Sequence, residues 1–422
     1  MRIALLTLGS RGDTQPFISL AIRLKEMGHD VVLGARPDYT ELVEKYGIEF
    51  MPLGPHITPH ISDMSKVIAS GNFFKFMLKT RQLKGAFTEK TAEDAMLAVV
   101  GAEAIFFKYS WDTGYTIAEK LGVPCAGVMF FPITPTRAFP CFLVGDGKDK
   151  GRLLNAFFWW LSQMVIWQDQ HSYNKKLRRK MGLKPVSYLG PLKLQAQRKM
   201  PVFYAYSPTL LPKPSDWPER MYVTGVWPSL PPVDWHPSPE LVKFIESGSA
   251  PVFIGFGSME GKAGRAQDIA VKALELSGKR GIVQSQFDED ESDGVLPETV
   301  FLIKDVYHQW LFPKMAAVVH HGGVGTTMTG LLSGVPSILI PHTIDQHSWG
   351  RHVYALGVGP ESIPSKGVTA ELLAKAIEEA TTNEMMNSRA REIGKMLEKE
   401  DGVKETMDVF FQYYRDTVNH TH

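Results

Sequence analysis

The 422-residue chain is long enough for two domains rather than one. Its 46 Lys and Arg residues are balanced by 45 Asp and Glu, and the net charge of +1 argues against a nucleic-acid-binding protein. The two cysteines, Cys125 and Cys141, are too few for a disulfide framework or a cysteine-based metal site. No apolar run approaches the ~18 residues of a membrane span, and Met1–Leu8 lacks the long apolar core of a signal peptide. We therefore expect a cytoplasmic protein with at most weak peripheral membrane contact.

The first half of the chain alternates between strand and helix patterns. The apolar run at 2–8 predicts a buried parallel strand, and apolar residues at helical spacing after Pro16 predict a helix that ends near Gly28. The alternation continues, and residues 201–206 are predicted as the last strand of this half. The elements in between are predicted at 31–33, 104–107, 113–121 and 125–129. Such an alternation with short connections predicts a parallel sheet.

A proline-rich stretch separates the first half from the second. Nine prolines lie between residues 207 and 239, where they break helices and cannot donate to a sheet. The alternation of strands and helices resumes after residue 241 and ends in helical segments. We predict an α/β protein with two Rossmann-like domains facing a cleft. The predicted parts are a first domain at 1–226, a linker at 227–240, a second domain at 241–400 and a helix at 401–422 that could cross back to the first domain.

The segment 317–350 carries the most specific pattern in the chain. A predicted strand leads through two histidines and a glycine turn into a helix start, with the residues His320, His321, Gly322, Gly323, Gly325, Thr326 and Thr327. Glycines let the backbone approach a ligand closely, and the unpaired amides and positive dipole end of a helix start favour a phosphate. Because His321 can donate to a diphosphate oxygen and Thr326 can add a hydroxyl, the turn predicts a diphosphate site.

Asp345 and Gln346 follow the next predicted strand, at its carboxyl end. Ligands bind at that edge of an open α/β sheet. An adjacent carboxylate and amide can accept from and donate to neighbouring hydroxyls of a sugar. The alternative is that Asp345 caps the following helix. Together with the preceding glycine turn, the pair favours sugar binding.

A second candidate site follows the first strand. The loop there holds polar residues at the carboxyl end of the strand, Ser10, Arg11, Gly12 and Asp13. Asp13 is a candidate general base, because a positioned carboxylate can accept the proton of an attacking alcohol. The alternative is a cap for the following helix, and the two roles are compatible. Asp112 is a candidate second acid, although a cap for the helix at 113–121 is the simpler interpretation.

Three segments resemble motifs of the family 1 glycosyltransferases, and within that family the sterol glucosyltransferase and glycopeptide-antibiotic glycosyltransferase branch. They are GSRGDTQPFISLAIRLKEMGHDV at residues 9–31, PITPTRAFP at 132–140 and VYHQWLFPKMAAVVHHGGVGTT at 306–327. The resemblance spans nearly the whole chain and is weakest at 55–100 and 145–200. It implies a GT-B fold, with the acceptor held by the N-terminal domain and the nucleotide sugar mainly by the C-terminal one.

The resemblance also implies roles for individual residues. His321, the amides of Gly323, Gly325 and Thr326, and the helix start at Thr327 would hold the diphosphate. The other implied donor contacts are Ser258 for phosphate, Val306 and Trp310 for the base, Asp345 and Gln346 for the sugar, and the Ser10, Arg11 and Gly12 loop. Asp13 matches the catalytic aspartate of this branch. The acidic residue that grips ribose in the plant version of the motif falls on Thr329 here, which leaves ribose contacts and the choice between uridine and thymidine open.

These roles imply an inverting transferase that moves a hexose, expected to be glucose, from UDP-glucose or a related nucleotide sugar to an acceptor hydroxyl. The acceptor would be a lipophilic alcohol such as a sterol, a triterpenoid or another polycyclic or phenolic alcohol, and the product a β-glycoside. No metal or other cofactor is expected, because the helix start and His321 would stabilise the leaving diphosphate. A UDP-sugar 2-epimerase on the same fold, or a non-catalytic protein that binds nucleotide sugars or membrane surfaces, is an alternative function.

Aromatic residues suggest where a lipophilic acceptor would bind. Phe130, Phe131, Phe139 and the stretch 157–167 could wall an apolar pocket. The alternative is core packing, the usual role of Phe and Trp. A basic amphipathic stretch at 72–90 could lie on a membrane surface, or pack as an ordinary helix on its own domain. Both a monomer and a homodimer are compatible with the sequence.

Overall fold

The computed structural model describes residues 1–56, 89–110, 112–143, 149–187, 198–231, 233–256, 263–285 and 296–419. Ser258 and nearly all of the 72–90 stretch lie outside these ranges. The chain folds into two compact units. The first comprises Met1–Pro208, Pro212–Leu230 and Asp401–His422, and the second Thr209–Leu211 and Pro231–Glu400.

The first unit is built on a parallel sheet. Within its described residues, the strands are β1 (Arg2–Leu6), β2 (Asp30–Ala35), β3 (Glu49–Pro52), β4 (Ala104–Lys108), β5 (Cys125–Met129), β6 (Val202–Tyr204) and β7 (Met221–Val223). Their order is β3-β2-β1-β4-β5-β6-β7, and every neighbouring pair is parallel. The central strands are runs of fully buried apolar residues, as expected for a sheet covered on both faces.

Helices cover this sheet. They are α1 (Arg11–Glu26), α2 (Thr40–Glu44), α3 (89–98), α4 (Asp112–Leu121) and α5 (Arg152–Lys180). The apolar side chains of α1 that the sequence places at helical spacing, Phe17, Leu20, Ala21 and Leu24, are all fully buried. The helix ends before Gly28, whose φ of +82° is a conformation that favours glycine after a helix.

The second unit repeats the plan on a smaller scale. Its described strands are β8 (Val252–Gly255), β9 (Gly281–Gln284), β10 (Val300–Ile303), β11 (Ala317–His320) and β12 (Ser337–Leu339), in the parallel order β10-β9-β8-β11-β12. Its helices are α6 (Pro239–Glu246), α7 (Ala263–Ser277), α8 (His308–Leu311), α9 (Val324–Leu332), α10 (Ile344–Ala355), α11 (Ala370–Thr382) and α12 (Glu384–Leu397). Alternate residues of β8 enter opposite cores, Val252 and Ile254 on one face and Phe253 on the other. Both sheets have the strand order of a Rossmann fold, so the prediction of two Rossmann-like domains is confirmed.

The prediction of the last strand of the first half was wrong. The sheet does not end at 201–206, because β7 adds to its edge beside β6. The strand β7 has only three residues and lies in a proline-rich stretch, between Pro218 and Pro228. It is therefore too short to give a recognisable alternation of apolar and polar residues. The aromatic stretch 157–167 lies within α5, a helix of 29 residues.

The last helix, α13 (Gly402–Asn419), packs on the sheet of the first unit. Its Phe410 is fully buried, and the ring centroids of Phe410 and Phe106 of β4 lie 4.2 Å apart. At its start, a Cβ on Gly402 would lie only 2.6 Å from the carbonyl oxygen of Gly225. The end of the chain is therefore part of the core of the first unit.

We expect Phe410→Ala to lower the free energy of unfolding of the first unit by about 3–5 kcal/mol, because it leaves a cavity against Phe106. Urea unfolding followed by tryptophan fluorescence measures this loss. Gln412→Ala, an exposed position of the same helix, serves as the control and should change stability by less than about 0.5 kcal/mol. A similar small effect of both substitutions would contradict the proposed packing.

Candidate functional site

The strand order of the first sheet reverses between β1 and β4. The connections that leave these two strands run in opposite directions, and ligands of open α/β sheets bind at such points, beyond the carboxyl ends of the strands. The loop after β1 leads directly into α1, whose third residue is Asp13. The sequence motif at Ser10–Asp13 therefore lies where this fold places its ligands.

Asp13 is held by three hydrogen-bond or ionic contacts. Its Oδ2 accepts from the backbone N–H of Ser10 at 2.8 Å and from the Ser10 hydroxyl at 3.2 Å, which forms a capping box at the start of α1. Its Oδ1 lies 2.7 Å from the Nζ of Lys108. Gly9 allows this arrangement, since a Cβ there would lie 2.0 Å from the Asp13 Oδ2. The carboxylate is thus fixed in one orientation and remains 18% exposed.

Lys108 is a residue of this site that the sequence analysis missed. It is the last residue of β4, and its ammonium also donates to the carbonyl oxygen of Leu8 at 3.0 Å. Its side chain is only 13% exposed. A single lysine at the carboxyl end of the otherwise apolar strand AIFFK was the available signal, because a buried lysine needs a partner.

Asp112 does not join this site. It begins α4, and its Oδ1 lies 2.5 Å from Arg198, while its Oδ2 accepts a hydrogen bond from the amide of Asn174. The guanidinium of Arg198 also stacks on the ring of Tyr115, 3.7 Å from its centroid. These contacts indicate a structural role for Asp112.

The second sheet reverses its strand order between β8 and β11, and the histidine–glycine turn follows β11. His320 is buried, and its Nδ1 accepts from the N–H of Gly322 at 3.0 Å. Gly323 is the N-cap of α9, which no side chain of the described residues caps. The first amides of α9 have no acceptor within the helix, so they point out of its start.

His321 lies across this helix start. A Cβ on Gly323 would lie 2.5 Å from its Nε2, so glycine is needed for the imidazole to pack here. Its Nδ1 is buried and has no hydrogen-bond partner among the described residues. Burial and, to a smaller extent, the nearby His342 lower the pKa of His321 to about 4, so the imidazole is neutral at pH 7. A neutral ring that lies against a helix start, with an Nδ1 that no described residue satisfies, is suited to a ligand with anionic oxygens.

Two threonine hydroxyls of the turn are used in hydrogen bonds within the protein, whereas Thr326 is left partly exposed. The Thr327 hydroxyl donates to the Gly323 carbonyl at 2.9 Å, and the Thr329 hydroxyl to the Gly325 carbonyl at 2.9 Å. Both side chains are buried. Thr326 is partly exposed and Gly325 is exposed. Thr326 and Gly325 are therefore the positions from which this turn could contact a ligand.

Asp345 and Gln346 lie at the start of α10, next to this turn. A Cβ on Gly322 would lie 3.3 Å from the Cβ of Gln346, which brings the two loops into contact. The Oε1 of Gln346 accepts from the backbone N–H groups of His342 at 2.8 Å and Thr343 at 3.1 Å, so this oxygen closes a capping box with Thr343. Asp345 accepts from the Thr343 hydroxyl at 2.6 Å and is partly exposed. The helix cap is therefore Thr343 rather than Asp345.

Val306 and Trp310 lie beyond the carboxyl end of β10. Val306 is buried in the core, and its N–H donates to the Asp305 carboxylate at 3.0 Å. The Trp310 ring packs edge-on against Trp235 with centroids 5.5 Å apart, and Lys314 lies 4.3 Å from its centroid. Trp310 is thus held on the carboxyl edge of the second sheet and remains partly exposed.

Two of the predicted acceptor residues are packed in the core. Phe130 is 3% exposed and contacts Phe17 and Trp227, and Phe139 is 7% exposed among aromatic rings. The rings around Phe139 are Phe142, Trp159 and Trp217. Phe131 is partly exposed.

A cavity of about 270 Å³ lies nearby in the first unit, and charged side chains line it, including Arg137, Asp149, Arg152 and Asp216. Its lining does not fit an apolar ligand.

Within the described ranges, no three His, Cys, Asp or Glu side chains are grouped so that they could hold a metal ion. None of the helices described by the structure has the length and hydrophobicity needed to cross a membrane.

Comparison with known proteins links both units to glycosyltransferases. Residues 3–140 match the model of the glycosyltransferase family 28 N-terminal domain, and residues 280–401 that of the erythromycin biosynthesis protein CIII-like C-terminal domain. The sterol 3-beta-glucosyltransferase UGT80B1 of Arabidopsis thaliana is 34% identical over 430 residues, covering 98% of this chain and 68% of that protein. The O-mycaminosyltylonolide 6-deoxyallosyltransferase of Streptomyces fradiae is 30% identical over 430 residues, covering 100% and 99%.

Solved structures of glycosyltransferases share the fold. The calicheamicin glycosyltransferase CalG4 aligns with a TM-score of 0.70 at 16% sequence identity, over 98% of both chains. The glycosyltransferase VinC in complex with DTDP aligns with a TM-score of 0.68 at 16% identity, over 99% of this chain and 100% of that one. At such identities the likeness establishes the fold.

Two histidines with limited access to solvent make the second unit sensitive to acid. Burial lowers the pKa of His321 and of His352 from 6.5 to about 4, while in the unfolded chain both titrate near 6.5. As the pH falls from 6.5 towards 4, the unfolded state binds protons that the folded state does not, so the free energy of unfolding decreases. The expected slope is roughly 1.4 kcal/mol per pH unit for each histidine, and the full stability is present above pH 6.5.

We therefore expect His321→Gln to reduce the slope of unfolding free energy against pH, between about pH 4 and 6.5, by roughly 1.4 kcal/mol per pH unit. Urea unfolding of the wild-type protein and the variant across this pH range measures the difference. His236→Gln, at an exposed position of the same unit, is the control and should leave the slope unchanged. An unchanged slope in His321→Gln would show that this imidazole is not excluded from water.

Proposed function

The chain belongs to the glycosyltransferase family of the sterol 3-beta-glucosyltransferases and macrolide sugar transferases, and from this membership we propose an inverting, UDP-dependent transfer of a hexose to a lipophilic alcohol. The proposed donor is UDP-glucose, and the proposed acceptor is a sterol or a similar polycyclic alcohol. Several relatives, from Arabidopsis thaliana and Cryptococcus neoformans among others, are sterol 3-beta-glucosyltransferases, which supports this choice of acceptor and sugar. The observation that carries the donor assignment is the His321 ring, whose Nδ1 has no partner among the described residues, against the uncapped start of α9.

In the proposed reaction, the second unit binds the diphosphate. The amides at the start of α9 and the His321 ring would donate to oxygens of the diphosphate, where charge increases as the sugar leaves. Because these donors are already fixed by Gly323 and by the packing of His321, little reorganisation is needed when the charge develops. Asp345, partly exposed beside this turn, would accept from hydroxyls of the sugar. Charge stabilisation by amides and imidazole leads us to propose a metal-independent transfer.

Asp13 would act as the general base. The acceptor oxygen forms a bond to the anomeric carbon, its proton passes to the Asp13 carboxylate, and the bond between the anomeric carbon and the diphosphate breaks with its electron pair on the leaving oxygen. Attack from the face opposite the diphosphate inverts the configuration. A carboxylate can take this role because it accepts several hydrogen bonds, and Ser10 and Lys108 occupy only part of that capacity. Lys108 would keep the carboxylate oriented.

The donor site predicts a specific binding defect. We expect His321→Ala to weaken UDP binding by about tenfold to a hundredfold, because it removes one hydrogen bond to a charged group. Isothermal titration calorimetry with UDP measures the affinity. His236→Ala, an exposed histidine of the same unit, is the matched control and should bind UDP as the wild-type protein does. Equal affinities of the two variants would remove His321 from the site.

The proposed role of Asp13 as general base predicts that its loss lowers turnover without weakening UDP binding. We expect Asp13→Asn to retain UDP affinity and to lower kcat for transfer from UDP-glucose to a sterol by about 10²–10⁴-fold, because the amide cannot accept the proton. The control is Asp38→Asn, since Asp38 is also in the first unit, 19% exposed and paired with a cation, Arg36, at 2.9 Å. Turnover by Asp13→Asn at the wild-type rate would exclude the base role. Transfer to saccharides or peptides but to no sterol or phenol would instead overturn the proposed acceptor.

A further inference from the structure

The outward face of α5 is apolar over its first four turns. Leu153 is 81% exposed, Leu154 47%, Phe157 50% and Trp160 45%. Leu153, Phe157 and Trp160 are spaced four and three residues apart, so they share one side of the helix. Partly exposed Leu161 and Met164 continue this side. We call these six residues, Leu153, Leu154, Phe157, Trp160, Leu161 and Met164, the α5 outer face.

The orientation of α5 is fixed by polar contacts on its inner side. Asn155, Ser162 and Gln163 are all buried, at 2%, 0% and 5% exposure. The Gln163 amide donates to the Ile133 carbonyl at 2.7 Å, and the Asn155 amide to the Asp149 carboxylate at 3.0 Å. A rotation of the helix that buried the outer face would break these bonds and leave buried amides without partners, which is costly. The helix therefore presents its apolar side outward because its polar side is held inside.

Basic residues follow the α5 outer face along the helix. Residues 153–168 carry no charge. In the last turns of α5, Lys175 and Arg179 are exposed, and the helical repeat places them on the same side as Phe157. The exposed side of one helix thus changes along its length from aromatic and aliphatic to cationic.

We propose that the α5 outer face docks the protein on an anionic lipid surface. A helix with Trp, Phe and Leu on one side and Lys or Arg beside them lies in the interface of a bilayer, with apolar side chains inserted and cations near the headgroups. Trp160 suits this position, because indole rings prefer the boundary between apolar and wet regions. The inner side of α5 stays packed in the first unit, so the helix lies along the surface.

A second copy of the chain fits this face less well. In a two-fold pairing of the apolar turns, the facing residues 153–168 of each helix carry no charge, so they offer no acidic partner to Lys175 and Arg179. Anionic headgroups, in contrast, are complementary to these two side chains. Charge therefore selects the lipid surface as the occupant.

Vesicle sedimentation tests the proposal with the full chain and without an activity assay, so the outcome is independent of the proposed transfer reaction. We expect the wild-type protein to sediment with vesicles of phosphatidylcholine and phosphatidylserine, and much less with phosphatidylcholine alone. Leu153→Ser with Phe157→Ser should weaken this binding by at least about tenfold, because two inserted side chains are lost. The matched control is Leu372→Ser with Met385→Ser, whose side chains are exposed to similar extents, 49% and 81%, on α11 and α12.

The basic end provides a second, independent variant. Lys175→Gln with Arg179→Gln should weaken binding to the anionic vesicles by roughly fivefold per charge and leave the thermal unfolding midpoint unchanged. The proposal is overturned if the wild-type protein does not sediment with anionic vesicles at low salt, or if the control pair weakens binding as much as the α5 pair. It is also overturned if sedimentation velocity shows a dimer that Leu153→Ser with Phe157→Ser dissociates, since the face would then be an interface between copies.

Discussion

The candidate site depends on one constraint of topology, the reversal of strand order at the centre of each parallel sheet. At β1 and β4 in the first unit, and at β8 and β11 in the second, the chain leaves neighbouring strands in opposite directions. The covering helices diverge there, and the carboxyl edge of the sheet is left open to ligands. Asp13 and Lys108 follow β1 and end β4, and His321 follows β11. The side chains with unsatisfied or charged groups thus lie where the fold leaves space for a ligand.

The starts of α9 and α10 differ in whether side chains of the protein satisfy the backbone N–H groups there. At α10, a capping box forms: the Thr343 side chain accepts from the Gln346 N–H, and the Gln346 side chain accepts from the N–H groups of Thr343 and His342 just before the helix. At α9, the N-cap Gly323 has no side chain, and the Thr327 hydroxyl donates to the Gly323 carbonyl rather than accepting from a backbone N–H. The amides of α9 remain for a ligand, because the residue that could have capped them is absent. The contrast gives the diphosphate assignment a physical basis beyond the presence of glycines.

Much of the fold could be predicted from the sequence, because buried parallel strands such as β4 and β11 are short apolar runs that end in a polar residue. The edge strand β7 could not be predicted, because its three residues are too few to show the alternation of a strand. At the site, the sequence predicted an N-cap or a base for Asp13. The N-cap is Ser10 instead, and Asp13, at the third helical position, closes the capping box with a carboxylate that remains 18% exposed. The ion pair with Lys108 could not be predicted, because it joins the first turn of α1 to the end of β4, 95 positions apart in the sequence, and depends on the register of β1 and β4. Likewise, only coordinates reveal that Gln346 uses its carbonyl oxygen on backbone amides.

The α5 helix shows why an aromatic run cannot be assigned to core or surface by composition. Its apolar residues cover more than one side, and the deciding information is where its few amides find partners. Trp159 is fully buried and donates to the Phe139 carbonyl, while its neighbour Trp160 is 45% exposed. Because Gln163 and Asn155 must be hydrogen-bonded inside the protein, the helix cannot turn its remaining apolar side chains inward. Buried polar residues here fix the rotation of the helix, and that rotation creates an exposed apolar surface on the unit that carries Asp13.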